Sequence, residues 1–124
     1  MVAARKLLRR AGRDRAGRFL VEGAQAVREA LAYGRVRELF VTAAAAERHP
    51  QLRAAAEDAG ARISLVTDRA AESLSETVTP QGLVAVCDLL DVTPAEALGE
   101  RPTLVAVCAG VSDPGNAGTI IRVA

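Results

Sequence analysis

Aromatic side chains are nearly missing from this chain: two Phe, one Tyr and no Trp in 124 residues. Any core must therefore be aliphatic, and stacking of bases on aromatic rings is a poor way for it to hold nucleic acid. Cysteine is scarce too. Cys87 and Cys108 both end apolar runs, Val84–Cys87 and Val105–Cys108, so both are expected as buried, reduced thiols. The one histidine, His49, precedes Pro50 in a helix-ending loop. With no Cys or His at ligand spacing beside it, a zinc site is excluded. No apolar run approaches the ~20 residues of a membrane span, and no apolar signal-peptide core follows the basic start. The expectation is a cytoplasmic protein without membrane contact. Lysine is almost absent as well, with fifteen Arg to one Lys, and Arg suits phosphate contact through its planar fork of donors.

Half of the chain is apolar and a quarter charged, enough for a core in one ordinary domain, or in a small domain plus part of another. The net charge of +1 hides an asymmetry. Residues 1–18 hold Arg5, Lys6, Arg9, Arg10, Arg13, Arg15 and Arg18 against one acid, Asp14, and the remainder is net acidic. This segment reads as a short basic helix or arm broken at Gly12. It is either a solvated charged terminus or an RNA-backbone contact through Arg5, Lys6, Arg9, Arg10 and Arg13, and the one-signed clustering favours the second.

Strand and helix patterns then alternate. Arg18–Glu22 predicts a strand, Gly23 a turn, Ala24–Tyr33 a helix stopped by Gly34, and Val36–Val41 a second strand. Thr42 should cap an Ala-rich helix that His49-Pro50 interrupts, Gln51–Ala59 resumes and Gly60 closes. Ile63–Val66 reads as a third strand, Thr67 or Asp68 as the cap of a helix to about Ser75, and Leu83–Leu90 as a fourth strand behind the turn Thr79-Pro80-Gln81-Gly82. Residues 1–90 thus read as one small α/β sandwich. Residues 91–102 read as a linker with a short helix over Pro94–Leu98, and residues 103–124 as the start of a second domain.

That last segment reads as a buried strand beginning at Leu104, a tight turn through Ser112-Asp113-Pro114-Gly115, and a helix capped by Asn116. Asp113 should nucleate the turn through its own side chain. A strand running through a tight loop into a helix N-terminus is where α/β folds place ligands, because free N–H groups and the helix dipole gather there. Arg122 shares a helix face with Gly118 and Thr119, and could point back toward the loop.

Asp113-Pro114-Gly115-Asn116, followed by Gly118, Arg122 and Ala124, resembles the first motif of the SpoU (TrmH) branch of the SPOUT RNA methyltransferases, N-x-G-x-x-x-R-x-A after a strand. Phe19–Gly23 with Val27, Glu29 and Ala30, and Thr79–Gly82 with the strand behind it, are similar to the substrate-binding domain that precedes the catalytic domain in many of these enzymes. That domain is related to ribosomal protein L30e. The resemblance covers nearly the whole chain in the right order. It implies an α/β fold: a small L30e-like α/β/α sandwich followed by the first strand-loop-helix of a SPOUT (α/β knot) methyltransferase domain.

It also implies transfer of a methyl group from S-adenosylmethionine to a ribose 2′-hydroxyl of RNA, with ribosomal RNA the expected substrate. Arg122 and Asn116 become the catalytic candidates, and Asp113, Pro114, Gly115 and Gly118 the active-site loop. Glu22 and Gly23 join the basic arm as RNA-facing, although a helix-dipole role for Glu22 beside the Ala24 helix is the plainer reading. A guanidinium is essentially never deprotonated in proteins, so Arg122 is expected to hold a phosphate and polarise the hydroxyl rather than act as a base. The family's later cofactor motifs have no counterpart here. No cofactor-binding residue is assigned, the chain looks truncated, and a homodimer is expected through the missing catalytic domain. The alternative is a non-catalytic L30e-like RNA-binding module. A nucleotide-phosphate binder is weaker, since neither G-K-[ST] nor G-x-G-x-x-G occurs.

Overall fold

The computed structural model describes residues 1–77, 79–99 and 101–123 and divides into two units, Met1–Leu90 and Asp91–Ala124. In the first unit, β1 (Arg18–Glu22), β2 (Val36–Val41), β3 (Arg62–Leu65) and β4 (Leu83–Asp88) form one sheet in the order β1-β4-β2-β3. β4 runs antiparallel to β1 and β2, while β2 and β3 are parallel. α3 (Ala24–Tyr33), α4 (Ala43–Arg48), α5 (Pro50–Asp58) and α6 (Asp68–Glu72) make the connections. β1, β2 and α3 fall where the sequence pattern places them. β3 begins one residue early, and β4 ends at Asp88 rather than Leu90.

Alternation along the strands sorts side chains to two faces. Leu39 and Val41 of β2 and Leu83, Ala85 and Cys87 of β4 pack with Val27, Leu52 and Ala56 from α3 and α5. Phe40, Val84 and Val86 point the other way. That second face is covered by Leu74 and by the N-terminal arm, which inserts Ala4 and Leu7 at 6% and 4% exposure. The arm is thus docked rather than free. It comprises α1 (Val2–Arg5), a 3₁₀ turn (Lys6–Leu8) and α2 (Arg10–Ala16).

Its break falls at Arg9, whose backbone is extended (φ −101°, ψ 139°), and Gly12 lies inside α2. The reason for glycine is proximity: a Cβ there would collide with the Lys6 carbonyl oxygen. Arg13 fastens the bend, donating from Nη1 to the carbonyls of Leu7 (3.1 Å) and Leu8 (3.0 Å).

β2 carries a bulge at Arg37, since Val36 pairs with Cys87 and Glu38 with Val86. The extra residue returns Val36 to the same face as Leu39. It also sets Arg37 against Asp88, with Nε 2.9 Å from each carboxylate oxygen. Arg18 and Arg35 approach the same carboxylate at 3.5 and 3.9 Å. Hydrogen bonding from Arg37, reinforced by the charges of Arg37, Arg18 and Arg35, holds the Asp88 carboxyl below its usual value despite some desolvation. Buried Cys87 is pushed the other way, to about 11, by desolvation and by the neighbouring Asp88 charge.

The second unit contains α7 (Pro94–Leu98) and α8 (Pro114–Val123). α7 is closed by a capping box: Thr93 Oγ1 accepts from the Glu96 amide, and the Glu96 carboxylate accepts from the Thr93 amide at 2.8 Å. The run expected as a buried strand from Leu104 forms none. Its side chains are exposed, Leu104 at 81% and Val107 at 87%, and Cys108 is exposed rather than buried. A β-branched run becomes a strand only beside a partner, and among the described residues of this unit there is none.

Two outcomes follow for stability. Leu7→Ala should cost about 2–4 kcal/mol in urea unfolding, although Leu7 belongs to a terminal segment; a change below about 0.5 kcal/mol, the usual range for surface sites, would mean that the arm is undocked. Asp88 stabilises the fold fully above its unfolded value of about 4. That contribution is lost as pH falls through the lowered folded value, because the unfolded chain takes up the proton first. Asp88→Asn should therefore be less stable than the parent at neutral pH and converge with it in acid.

Candidate nucleic-acid interface and motif helix

β1, β2 and β3 run in one direction, so the N-termini of α3, α4 and α6 gather at the end of the sheet where these strands finish. Glu22 and Gly23 lie here. Gly23 has φ +87° and donates its amide to the Leu83 carbonyl at 3.0 Å. The sequence reading placed Glu22 at the dipole of α3, but that end is served by Gln81, whose Oε1 accepts from the Ala24 amide at 3.0 Å. Glu22 instead accepts hydrogen bonds from Ser75 Oγ (2.5 Å) and Thr77 Oγ1 (2.8 Å), tying down the loop after α6.

The turn Thr79–Gly82 closes the same end. Gly82 has φ +72°, and a Cβ there would meet Thr42 Oγ1 at 2.5 Å. Thr42, the one buried polar residue among those described, caps α4 by accepting from the Ala45 amide at 3.2 Å.

The basic residues lie on the arm. The arm crosses the sheet face away from α3 and α5: Val2 and Arg5 line a depression with Thr67, the cap of α6, and with Ala70 of that helix, and α2 delivers the chain to Arg18 at the start of β1. Arg5, Lys6, Arg9 and Arg10 are exposed. Arg10 pairs only at 3.7 Å with Asp14, both well exposed, which holds little energy. Arg13 differs, its guanidinium being engaged by the Leu7 and Leu8 carbonyls. Among the described residues no hydrogen bond or ion pair joins the arm to Glu22 or Gly23, although Arg5 lies near Thr67 at the same end of the sheet.

Arg35 and Arg37 were missed by sequence reasoning. They stand beside Glu38 in a locally mixed run, and only the strand order brings them to Arg18. Among the described residues the three guanidiniums of Arg18, Arg35 and Arg37 pair with one carboxylate, Asp88, an excess of two positive charges. Glu38 faces a different partner: burial pushes its carboxyl up, but hydrogen bonds from Arg62 and Ser64 outweigh that and hold it low.

In the second unit the helix starts earlier than the motif suggests. Asp113, not Asn116, is the cap: its Oδ1 accepts from the Asn116 amide at 2.7 Å and its carbonyl from the Ala117 amide at 3.1 Å. Pro114 opens α8 and Asn116 lies in its first turn. The Asn116 side chain is thereby released from capping. Gly115, Thr119 and Arg122 follow one another along one side of α8 at i, i+4 and i+7 spacing, with Gly118 beside them. Thr119 Oγ1 donates to the Gly115 carbonyl at 3.0 Å, and a Cβ on Gly118 would meet nothing within 4 Å. Arg122 is exposed in the last turn of α8, and the motif's final position, Ala124, lies outside the described residues.

Residues 2–85 match the family described as the MRM3-like substrate binding domain. The chain is 33% identical over 122 residues to the 23S rRNA (guanosine(2553)-2′-O)-methyltransferase RlmP of Bacillus subtilis (strain 168), covering 97% of this chain and 44% of that protein. A crystal structure of an RNA 2′-O ribose methyltransferase is 27% identical with a TM-score of 0.71, covering 98% of this chain and 46% of the other. The AdoMet-bound rRNA methyltransferase from Sinorhizobium meliloti shares the fold at 21% identity and a TM-score of 0.58, over 71% of this chain and 32% of its own. The chain thus spans under half the length of these relatives. By the match over residues 2–85 this chain belongs to the family of MRM3-like substrate binding domains, and its likeness to the RNA 2′-O-methyltransferases named above runs over nearly its whole length.

Proposed function

We propose that this chain supplies RNA recognition, and the first motif of the catalytic domain, to an S-adenosylmethionine-dependent 2′-O-ribose methyltransferase of ribosomal RNA. The observation that carries this reading is the continuity of the likeness to RlmP, which runs through both units rather than stopping at Leu90. Residues 1–90 are the L30e-like substrate-binding domain, 91–102 the linker, and 103–124 the opening of the methyltransferase domain. Exposed Arg5, Lys6, Arg9 and Arg10 meet the RNA backbone, supported by the excess charge of Arg18, Arg35 and Arg37. Arg13 acts by holding the arm in shape, and Glu22 and Gly23 by fixing the loop end of the domain. The working assembly is a cytoplasmic homodimer joined through its catalytic domains.

The methyl donor would be S-adenosylmethionine, but the residues of this chain do not by themselves fit it. Gly115 to Arg122 are exposed or half-buried in the second unit, with no enclosing wall among the described residues. What the chain contributes to the chemistry is orientation of the acceptor. A guanidinium offers only donors, in a fixed fork, so those of Arg122 hold the target phosphate and polarise the adjacent 2′-hydroxyl. Gly115 and Gly118 leave room for the ribose beside them, while Asp113 and Pro114 set the loop from which α8 starts and Asn116 offers its free amide to the same site.

Binding and chemistry separate experimentally. Arg9→Gln with Arg10→Gln should reduce the slope of log affinity against log salt by roughly 1.5 for an RNA hairpin. Arg13→Gln should chiefly lower the unfolding midpoint. Equal slopes for the parent and the double variant would remove the arm from the RNA contact. In the complete enzyme, Arg122→Lys should lower kcat about tenfold or more with RNA affinity retained, since an ammonium lacks the planar fork. Unchanged turnover would exclude the orienting role, and an absence of methyl transfer by the parent would leave the RNA-binding module.

A further inference from the structure

The bend in the arm creates a cleft of about 590 Å³ that the functional reading above does not use. Extended backbone at Arg9 folds α2 back beside the 3₁₀ turn, glycine at 12 allows the close approach, and Arg13 staples the two limbs through the Leu7 and Leu8 carbonyls. The cleft is therefore built into the domain. Its surface is mostly apolar, contributed by Val2, Ala3, Leu7, Ala11 and Ala16. Every charged residue that lines it is cationic: Arg5, Lys6, Arg9 and Arg15.

An apolar slot bordered by cations alone suits a ligand with a flat, weakly polar body and an anionic strand attached. We infer that the cleft receives the base of one unpaired RNA nucleotide, with the flanking phosphates on Arg5, Lys6, Arg9 and Arg15. This inference rests on the RNA-binding reading and adds to it a choice of RNA structure. A paired base keeps its faces stacked in the helix and presents only phosphates and groove edges. A splayed-out base can enter, and the volume lies within the range of small-ligand clefts. With no aromatic residue in the lining, aliphatic walls grip the base, and selection among bases should be weak. Charge complementarity selects a polyanion over a neutral peptide, and the apolar walls select a base over bare phosphate.

The test compares fluorescent single-stranded RNA of roughly twelve nucleotides with a blunt duplex of the same length, bound to the whole chain at one salt concentration. The single strand should bind about tenfold more tightly, the value expected from removing one base face from water. Ala11→Leu and, on the other limb, Ala3→Leu narrow the cleft without changing charge. Both positions are exposed, so neither substitution crowds the core. Each should cancel the preference for single strands, leaving duplex binding and the melting temperature unchanged. A 4-thiouridine single strand should crosslink to peptides within residues 2–16.

Equal binding of both RNAs by the parent, or crosslinks confined to other segments, would overturn the cleft while leaving the RNA-binding reading intact. No binding of either RNA would overturn both. Displacement of the single strand by phosphatidylglycerol vesicles but not by excess unlabelled RNA would assign the cleft to an anionic lipid surface instead.

Discussion

The constraint on which the first unit depends is the burial of β4 on both faces. Leu83 through Cys87 are each at most 5% exposed, and β4 is hydrogen-bonded to β1 on one side and β2 on the other. A strand of this kind cannot leave either sheet surface to water. α3 and α5 cover one surface. The other receives only a short α6 and the arm, so Ala4 and Leu7 complete a layer that would otherwise be open. Of the arm's apolar residues Ala4 and Leu7 face inward, and its cations project outward. Structural need and basic character are met by one segment, whose inner side closes the core and whose outer side is free for an anionic partner.

Much of this was legible in the chain because punctuation residues stand at nearly every boundary. Gly23, Gly34, Thr42, Pro50 and Gly60 each mark an element edge that the structure reproduces. Strand order was not legible: the last strand inserts between the first two, a choice made by contacts distant in sequence. The docking of the arm was equally hidden, since Ala4 and Leu7 are too few for an amphipathic signal. Gly12 invited the reading of a helix break, when its real task is to admit the Lys6 carbonyl.

The site was legible by resemblance more than by pattern. Asp113 and Asn116 are both good cap residues, three positions apart, and Pro114 decides between them because proline favours the first helical position. Leu104–Cys108 has the composition of a buried strand, yet composition states only what a segment becomes beside a partner. Arg35 and Arg37 carry no sequence signal at all, since their significance is a product of the bulge and the strand order. Sequence reading does well where local chemistry decides, and falls short where a residue's role is assigned by a distant neighbour.

Asp88 has a further consequence as the last residue of the central strand, two positions before the boundary between the units. Its carboxylate binds arginines from the start of β1, from the start of β2 and from the bulge, while its amide donates to the Arg35 carbonyl at 3.0 Å. Leu89 adds a hydrogen bond from its amide to the Gly17 carbonyl at 2.9 Å. Strand ends ordinarily fray, and opening spreads inward from them. Here the exit of the chain is moored to two neighbouring strands at once. Tension applied through the connecting segment would be shared across the sheet instead of peeling β4 away, so the first unit would hold its shape under a pull at its exit.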